Sequence, residues 1–246
     1  MLVELILVGI FIGAMSGFFG IGGGIILVPI LLIFGFDIKA AIGISIMQMV
    51  FSSIYGSYLN YRRGSLILGA GIFIGLGGFL GGYIGGLTTE YVPDNILQFI
   101  FFGLLIFALF RLLFSSNHKD DDKMKVLSKG LLFFIGTITG IFSITLGIGG
   151  SIILTPILVG LLHYPIKRAV SAGLFFVVFS SIAGLISRLA SGSIDFSNAL
   201  VVACASLLGV FFGIWLKDHI KDNHHKISLL LLYLLSLLLL SSKMWF

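Results

Sequence analysis

Gly13 to Leu31 reads GAMSGFFGIGGGIILVPIL, an apolar segment that breaks on contiguous glycines and restarts towards a proline. Gly136 to Leu158, GTITGIFSITLGIGGSIILTPIL, repeats it in the second half. Glycine lets a backbone take positive φ and approach another group closely, so each stretch predicts a helix that stops, turns and starts again. The residues from Ile25 and Ile152 onward open short helices whose first amides have no intrahelical acceptor and point back at the turn. Pro29 and Pro156 follow at the same interval, inside the restarted helices, where proline shortens or kinks.

The surroundings of the breaks fix their environment. With 58% apolar residues, 10% charged ones and a mean hydropathy of +1.17, the 246-residue chain has more apolar surface than a soluble domain can bury. It belongs in a bilayer. The net charge of +5 sits in short loops between apolar runs, the positive-inside pattern of a multi-pass cell-membrane protein rather than a nucleic-acid surface. The first residues, MLVELILVGIF, carry Glu4 where a secretory leader would have Lys or Arg, and read as mature protein. Cys204 lies in an apolar run and reads as a small packed hydrophobe. No cysteine cluster or metal-ligand spacing occurs, so neither a metal nor another cofactor is expected.

The chain divides into two matching halves. Residues 1–114 hold a broken hairpin, 2–36, and spans at 40–61, 66–87 and 95–114; a charged linker follows at 115–129. The second half, 126–246, holds a broken hairpin at 126–162 and spans at 169–189, 196–216 and 227–240. A shift of 128 places Lys39 on Lys167, Ser52 and Ser53 on Ser180 and Ser181, Gly81 and Gly85 on Gly209 and Gly213, and Asp94 on Asp222. One register held over so long a stretch marks an internal duplication. The second copy carries four extra residues between Gly140 and Gly147.

Basic residues choose the topology. If each broken segment crosses the membrane once, Lys and Arg divide nine against six between the two sides. If each folds back as a re-entrant hairpin, they divide twelve against three, with 62–64, 115–129 and 217–226 cytoplasmic and both ends outside. The expected fold is therefore an all-α polytopic membrane protein of two inverted repeats, each a broken re-entrant hairpin plus three transmembrane helices.

Irregular backbone at membrane depth is tolerated only against protein or a water-filled cavity, and a helix N-terminus favours anions. Two opposed breaks thus predict an internal anion site near the midplane, built on Gly20, Gly22, Gly23 and Gly24 and on Gly147, Gly149, Gly150 and Ser151. Polar residues within spans are costly and become further candidates: Ser45, Gln48 and Ser52 on one helical face, Ser180 in the second half, and Ser143 and Thr145 in the longer turn. Ser can also bond silently to its own helix. Arg188, near the end of its span, either attracts anions or snorkels to the interface. Gly77, Gly81 and Gly85 read as close helix packing. No Asp, Glu or His lies between the span ends, so a carboxylate proton relay is not available. An anion leaving the cell needs none, because an inside-negative potential supplies about 2.3 kcal/mol per charge per 100 mV.

The pattern carried by Gly13, Gly17, Gly20, Gly22, Gly23, Gly24 and Pro29, with Lys39 to Ser45 and the Tyr61-Arg62-Arg63-Gly64 turn, resembles the sulfite exporter TauE/SafE family of membrane permeases. The likeness covers both halves. It implies outward transport of sulfite, thiosulfate or a small organosulfonate. The second copy departs from the pattern: Ser151 replaces the third glycine, and Gly173 stands where the family often has Ser. The expected partners are a small anionic substrate and the lipid bilayer, with no nucleic acid; a homodimer is the assembly considered. An intramembrane enzyme would need Ser with His, paired Asp or H-E-x-x-H inside spans, and none occurs. Uptake of a small carboxylate or sulfonate is the alternative.

Overall fold

A computed structural model of the chain describes residues 2–66, 68–114, 128–160, 162–190 and 195–245. Of the charged linker expected at 115–129, only Ser128 and Lys129 fall among them. All regular structure among the described residues is helical, in α1 (Leu2–Phe19), α2 (Gly24–Ile33), α3 (Ile38–Arg62), α4 (Leu68–Thr89), α5 (Asp94–Leu113), α6 (Lys129–Thr145), α7 (Ser151–Gly160), α8 (Ile166–Ala190), α9 (Phe196–His219) and α10 (Asp222–Trp245).

Local chemistry sets the boundaries. Asp37 caps α3 by accepting from the Ala40 amide at 2.7 Å, and Ser128 and Asp195 cap α6 and α9 in the same way. The glycine-rich breaks end α1 and α6. Pro29 and Pro156 are each sixth in their ten-residue helices, and both helices continue for four residues beyond the proline. Among the described residues six helices are long and apolar enough to cross a bilayer: α1, α3, α4, α8, α9 and α10. Here α1 joins the set foreseen from sequence, because it is 18 residues long, and α5, Asp94–Leu113, lies over the span expected at 95–114.

Glycine rows let the helices approach. On α4, Gly77, Gly81 and Gly85 face α6, and Gly78, Gly82 and Gly86 face α8; a Cβ at Gly81 would lie 2.0 Å from the Thr137 carbonyl oxygen. The packing reading of these glycines holds. Gly9, Gly13 and Gly17 of α1 meet Val202, Ser206 and Val210 of α9 in the same manner. Those pairs advance together, so α1 runs parallel to α9, and α4 runs parallel to α6. Helix α3 also follows α9, with Gly56 at Val210 and Asn60 at Lys217. By contrast α3 and α8 run antiparallel, Lys39 meeting Arg188 at one end and Ser65 meeting Ser171 at the other.

Phe99, Phe134, Leu208 and Leu231 are among the large apolar side chains turned outward, as a lipid-facing surface requires. Cys204 is exposed as well, a correction to its expected burial: the inward stripe of α9 is Val202, Ala205, Ser206 and Gly209, and Cys204 lies off it. Replacing Gly81 by leucine should cost about 1–3 kcal/mol by overpacking, read as a lowered melting temperature in detergent. Gly103→Ala, which meets nothing within 4 Å, should leave the melting temperature unchanged.

Candidate functional site

The two breaks come together inside the molecule. Gly20, Gly22 and Gly23 have φ of 69°, 77° and 93°, and Gly147 and Gly149 have φ of 63° and 68°, the left-handed backbone open chiefly to glycine. A Cβ at Gly24 would fall 1.8 Å from the Gly147 carbonyl oxygen, and one at Gly149 would fall 2.1 Å from that of Ile21. The turns are therefore in backbone contact rather than separated by a cavity. Ser45 Oγ donates to the Gly147 carbonyl at 2.6 Å. Met49 lies against both turns, its Sδ 3.1 Å from a Cβ at Gly22 and 3.0 Å from one at Gly149. Residues 16–29 and 143–156 are all buried.

Around this contact polar groups exceed their partners. Among the described residues, no acceptor meets the amides of Gly22 to Ile25 or of Gly149 to Ser151. Gln48 is fully buried, its Oε1 lies 2.9 Å from a Cβ at Gly23, and neither of its amide atoms is hydrogen-bonded. The hydroxyls of Ser143, Ser151 and Thr155 are also buried without partners. Ser143 faces Gly150, and Ser151 and Thr155 face Gly173. Each such group costs about 1–3 kcal/mol. A donor-rich spot at two helix N-termini is suited to an anion.

The two copies differ where they meet. With the 128 shift, Gln48 corresponds to Phe176 and Ser45 to Gly173, while Gly24 aligns by sequence with Ser151. Gly150 has the Phe176 ring where Gly23 has the Gln48 amide, 2.4 Å from the position of a Cβ. In the first copy the serine is on the long helix and the glycine on the short one; in the second they are exchanged.

The other expected residues lie further out. Ser52 Oγ pairs with Ser16 at 3.2 Å, and Ser180 Oγ bonds back to the Phe176 and Val177 carbonyls of its own helix. Thr145 donates to the Gly85 carbonyl at 3.2 Å, tying the end of α6 to α4. Sequence reasoning missed Met49 and Thr155. Met49 was flanked by flagged residues, and Thr155 directly precedes the repeated proline.

Arg188 neither faces the turns nor snorkels. It is fully buried, pairs with Glu90 and donates to the Lys39 carbonyl at 2.7 Å. The 128-residue shift places Asn60 on Arg188 and Thr89 on Lys217, and the structure places Lys217 inside the bundle. Its Nζ, fully buried, donates to Asn60 Oδ1 at 2.6 Å and to Ser171 Oγ at 3.1 Å. His225 is fully buried against Phe18 and Phe19 near the start of α10. Among the described residues no cluster of His, Cys, Asp or Glu could hold a metal.

The family model described as sulfite exporter TauE/SafE matches residues 5–240. A "probable membrane transporter protein" of Methanocaldococcus jannaschii is 32% identical over 92% of this chain and 90% of its own length. One from Bacillus subtilis is 26% identical over 85% of this chain and 87% of its own. No solved structure matches the chain.

Gln48→Leu should raise the melting temperature of the ligand-free protein, because it removes a buried amide with no partner, worth about 1–3 kcal/mol. Ser45→Ala should lower it by a similar amount, since the Gly147 carbonyl then loses its donor. Differential scanning fluorimetry of the two purified variants checks both signs.

Proposed function

Because the chain belongs to the sulfite exporter TauE/SafE family, we propose that it moves small sulfur-containing oxyanions, such as sulfite, thiosulfate or an organosulfonate, out of the cell. The chain is a multi-pass membrane transporter of that family. The observation that carries the substrate reading is Gln48, an unpartnered buried amide beside Gly23 at the N-terminus of α2. An oxyanion has the acceptors that Gln48, the unbonded amides of both breaks and the hydroxyls of Ser143, Ser151 and Thr155 lack. The two turns part around it near the membrane midplane and close again in its absence.

Export is favoured over uptake by charge. Glu90, the acidic residue reaching the buried layer, is neutralised by Arg188. No carboxylate faces the turns among the described residues, and an outward-moving anion is driven by the membrane potential alone. Uptake of a small sulfonate or carboxylate is the second reading. Phe176 favours it, giving the second turn an apolar wall suited to an organic tail.

Two inverted repeats, 1–114 and 126–246, are part of the same proposal. The antiparallel pairing of α3 with α8, the shared direction of α1 and α3, and the exchange of contacts by which α1 packs on α9 as α6 packs on α4 all support it. In a Cys204→Ser background, Asp37→Cys and Tyr164→Cys should label from opposite faces of intact cells; labelling from one face would overturn the inversion. A homodimer stays within the proposal and is measured by sedimentation of the detergent-solubilised protein.

Proteoliposomes loaded with labelled sulfite, thiosulfate or methanesulfonate under a set potential should release the anion when the inside is negative. Flux of a cation and of none of these would overturn the reading. Gly23→Leu should abolish flux while the protein still inserts, because a side chain there meets Gln48 and Ile12 in a left-handed backbone.

A further inference from the structure

Lys217 has a buried ammonium whose hydrogen-bond partners among the described residues are neutral. It stands in the last turn of α9, where the helix C-terminus favours a cation. That field does not replace a counter-ion for a charge withdrawn from water. Asp218, the carboxylate that acts on it, is paired with Arg63, and Lys167 adds a further positive charge to its surroundings.

The same spot holds other unpartnered polar groups. Asn60 gives its oxygen to Lys217, while its Nδ2 is buried with no acceptor. Both ring nitrogens of His225, within reach of the Lys217 and Lys167 charges, are buried without partners. Ser171, whose Oγ accepts a hydrogen bond from Lys217, follows Val170, and the Val170 carbonyl oxygen would be 2.3 Å from a Cβ at Gly20. Gly213, one helical turn before Lys217, packs on the backbone of Phe18. The cluster thus flanks the first break.

The corresponding place in the other half is neutralised. There Arg188 pairs with Glu90, and Lys39 donates to the Glu90 carbonyl and lies 3.9 Å from Asp94. One end of the molecule therefore has, beside a glycine break, a buried ammonium bonded among the described residues to neutral groups, and the other has its buried guanidinium in an ion pair.

We propose that Lys217, Asn60 and Ser171 form a second anion site, distinct from the paired breaks, that takes a small oxyanion from the side of Arg63 and Lys167 and passes it to Gly20. The passing step rests on the transport reading above; the binding step does not. On the inverted topology this side is the cytoplasm, so the site loads substrate for export.

The test uses the full chain, with thiosulfate as the probe. In proteoliposomes, Lys217→Gln should raise the half-saturating thiosulfate concentration about tenfold on the Lys217 side, the weight of one charge-assisted hydrogen bond. Half-saturation from the opposite side should stay as in the wild type, and Lys217→Arg should recover much of the loss. Titration calorimetry in detergent should show one thiosulfate site fewer in Lys217→Gln. Asn60→Leu, which keeps the ammonium, should weaken the same site, and it replaces Lys217→Gln if that variant does not fold. Thiosulfate binding lost in these variants without wild-type flux would keep the site and overturn the transport reading. Wild-type flux with unchanged half-saturation and binding in both variants would keep transport and overturn the site.

Discussion

Irregular backbone cannot face hydrocarbon, and this chain keeps its two helix breaks away from lipid by setting them against each other. Gly24 lies on the Gly147 carbonyl and Gly149 on the Ile21 carbonyl, so each turn shields the other from lipid. The remaining architecture follows. To bring two breaks together, α1 and α6 enter the bundle along α9 and α4, and the long helices α3 and α8 clasp the junction in opposite directions. The glycine rows on α1, α4 and α9 permit that clasp, since with no side chain between backbones the breaks reach the interior.

The contact is self-sufficient in shape but not in hydrogen bonding. Ser45 serves the Gly147 carbonyl, whereas Gln48, Ser143, Ser151 and Thr155 are left without partners. Natural interiors rarely leave so many buried polar groups unsatisfied in one place. Their concentration at two helix N-termini, with no carboxylate facing them among the described residues, fits the proposed anion. Under the 128-residue shift the two halves also differ at this spot, Gln48 against Phe176 and Ser45 against Gly173, so any ligand there meets one polar wall and one apolar wall.

Much of this was legible in the sequence because it depends on local rules. Contiguous glycines announced positive φ, spacing by four announced close packing, and the length of the apolar runs announced most of the spans. Ser45, Gln48 and Ser143 were legible because a polar side chain in an apolar run has few places to go. What depended on distant partners was hidden. Arg188 looked like an interfacial cation because Glu90, its partner, is 98 residues away, and Lys217 looked like a loop charge because Asn60 is 157 residues away. Cys204 was misread since an apolar run in a bilayer is apolar all round, so composition does not mark which face turns inward. Ser52, Thr145 and Ser180 carried the same residue-type signal as Ser45 but spend their hydroxyls on neighbouring serines or helix carbonyls.

Met49 touches Gly22 of one turn and Gly149 of the other. A thioether on an unbranched chain is the most compliant of the apolar side chains, and here it acts as a single washer between two hinges. Displacing either turn shifts the same sulfur, so the two halves share one mechanical degree of freedom at their closest point. The one flexible side chain that both breaks share is therefore also the one place where a change in either is felt directly by the other.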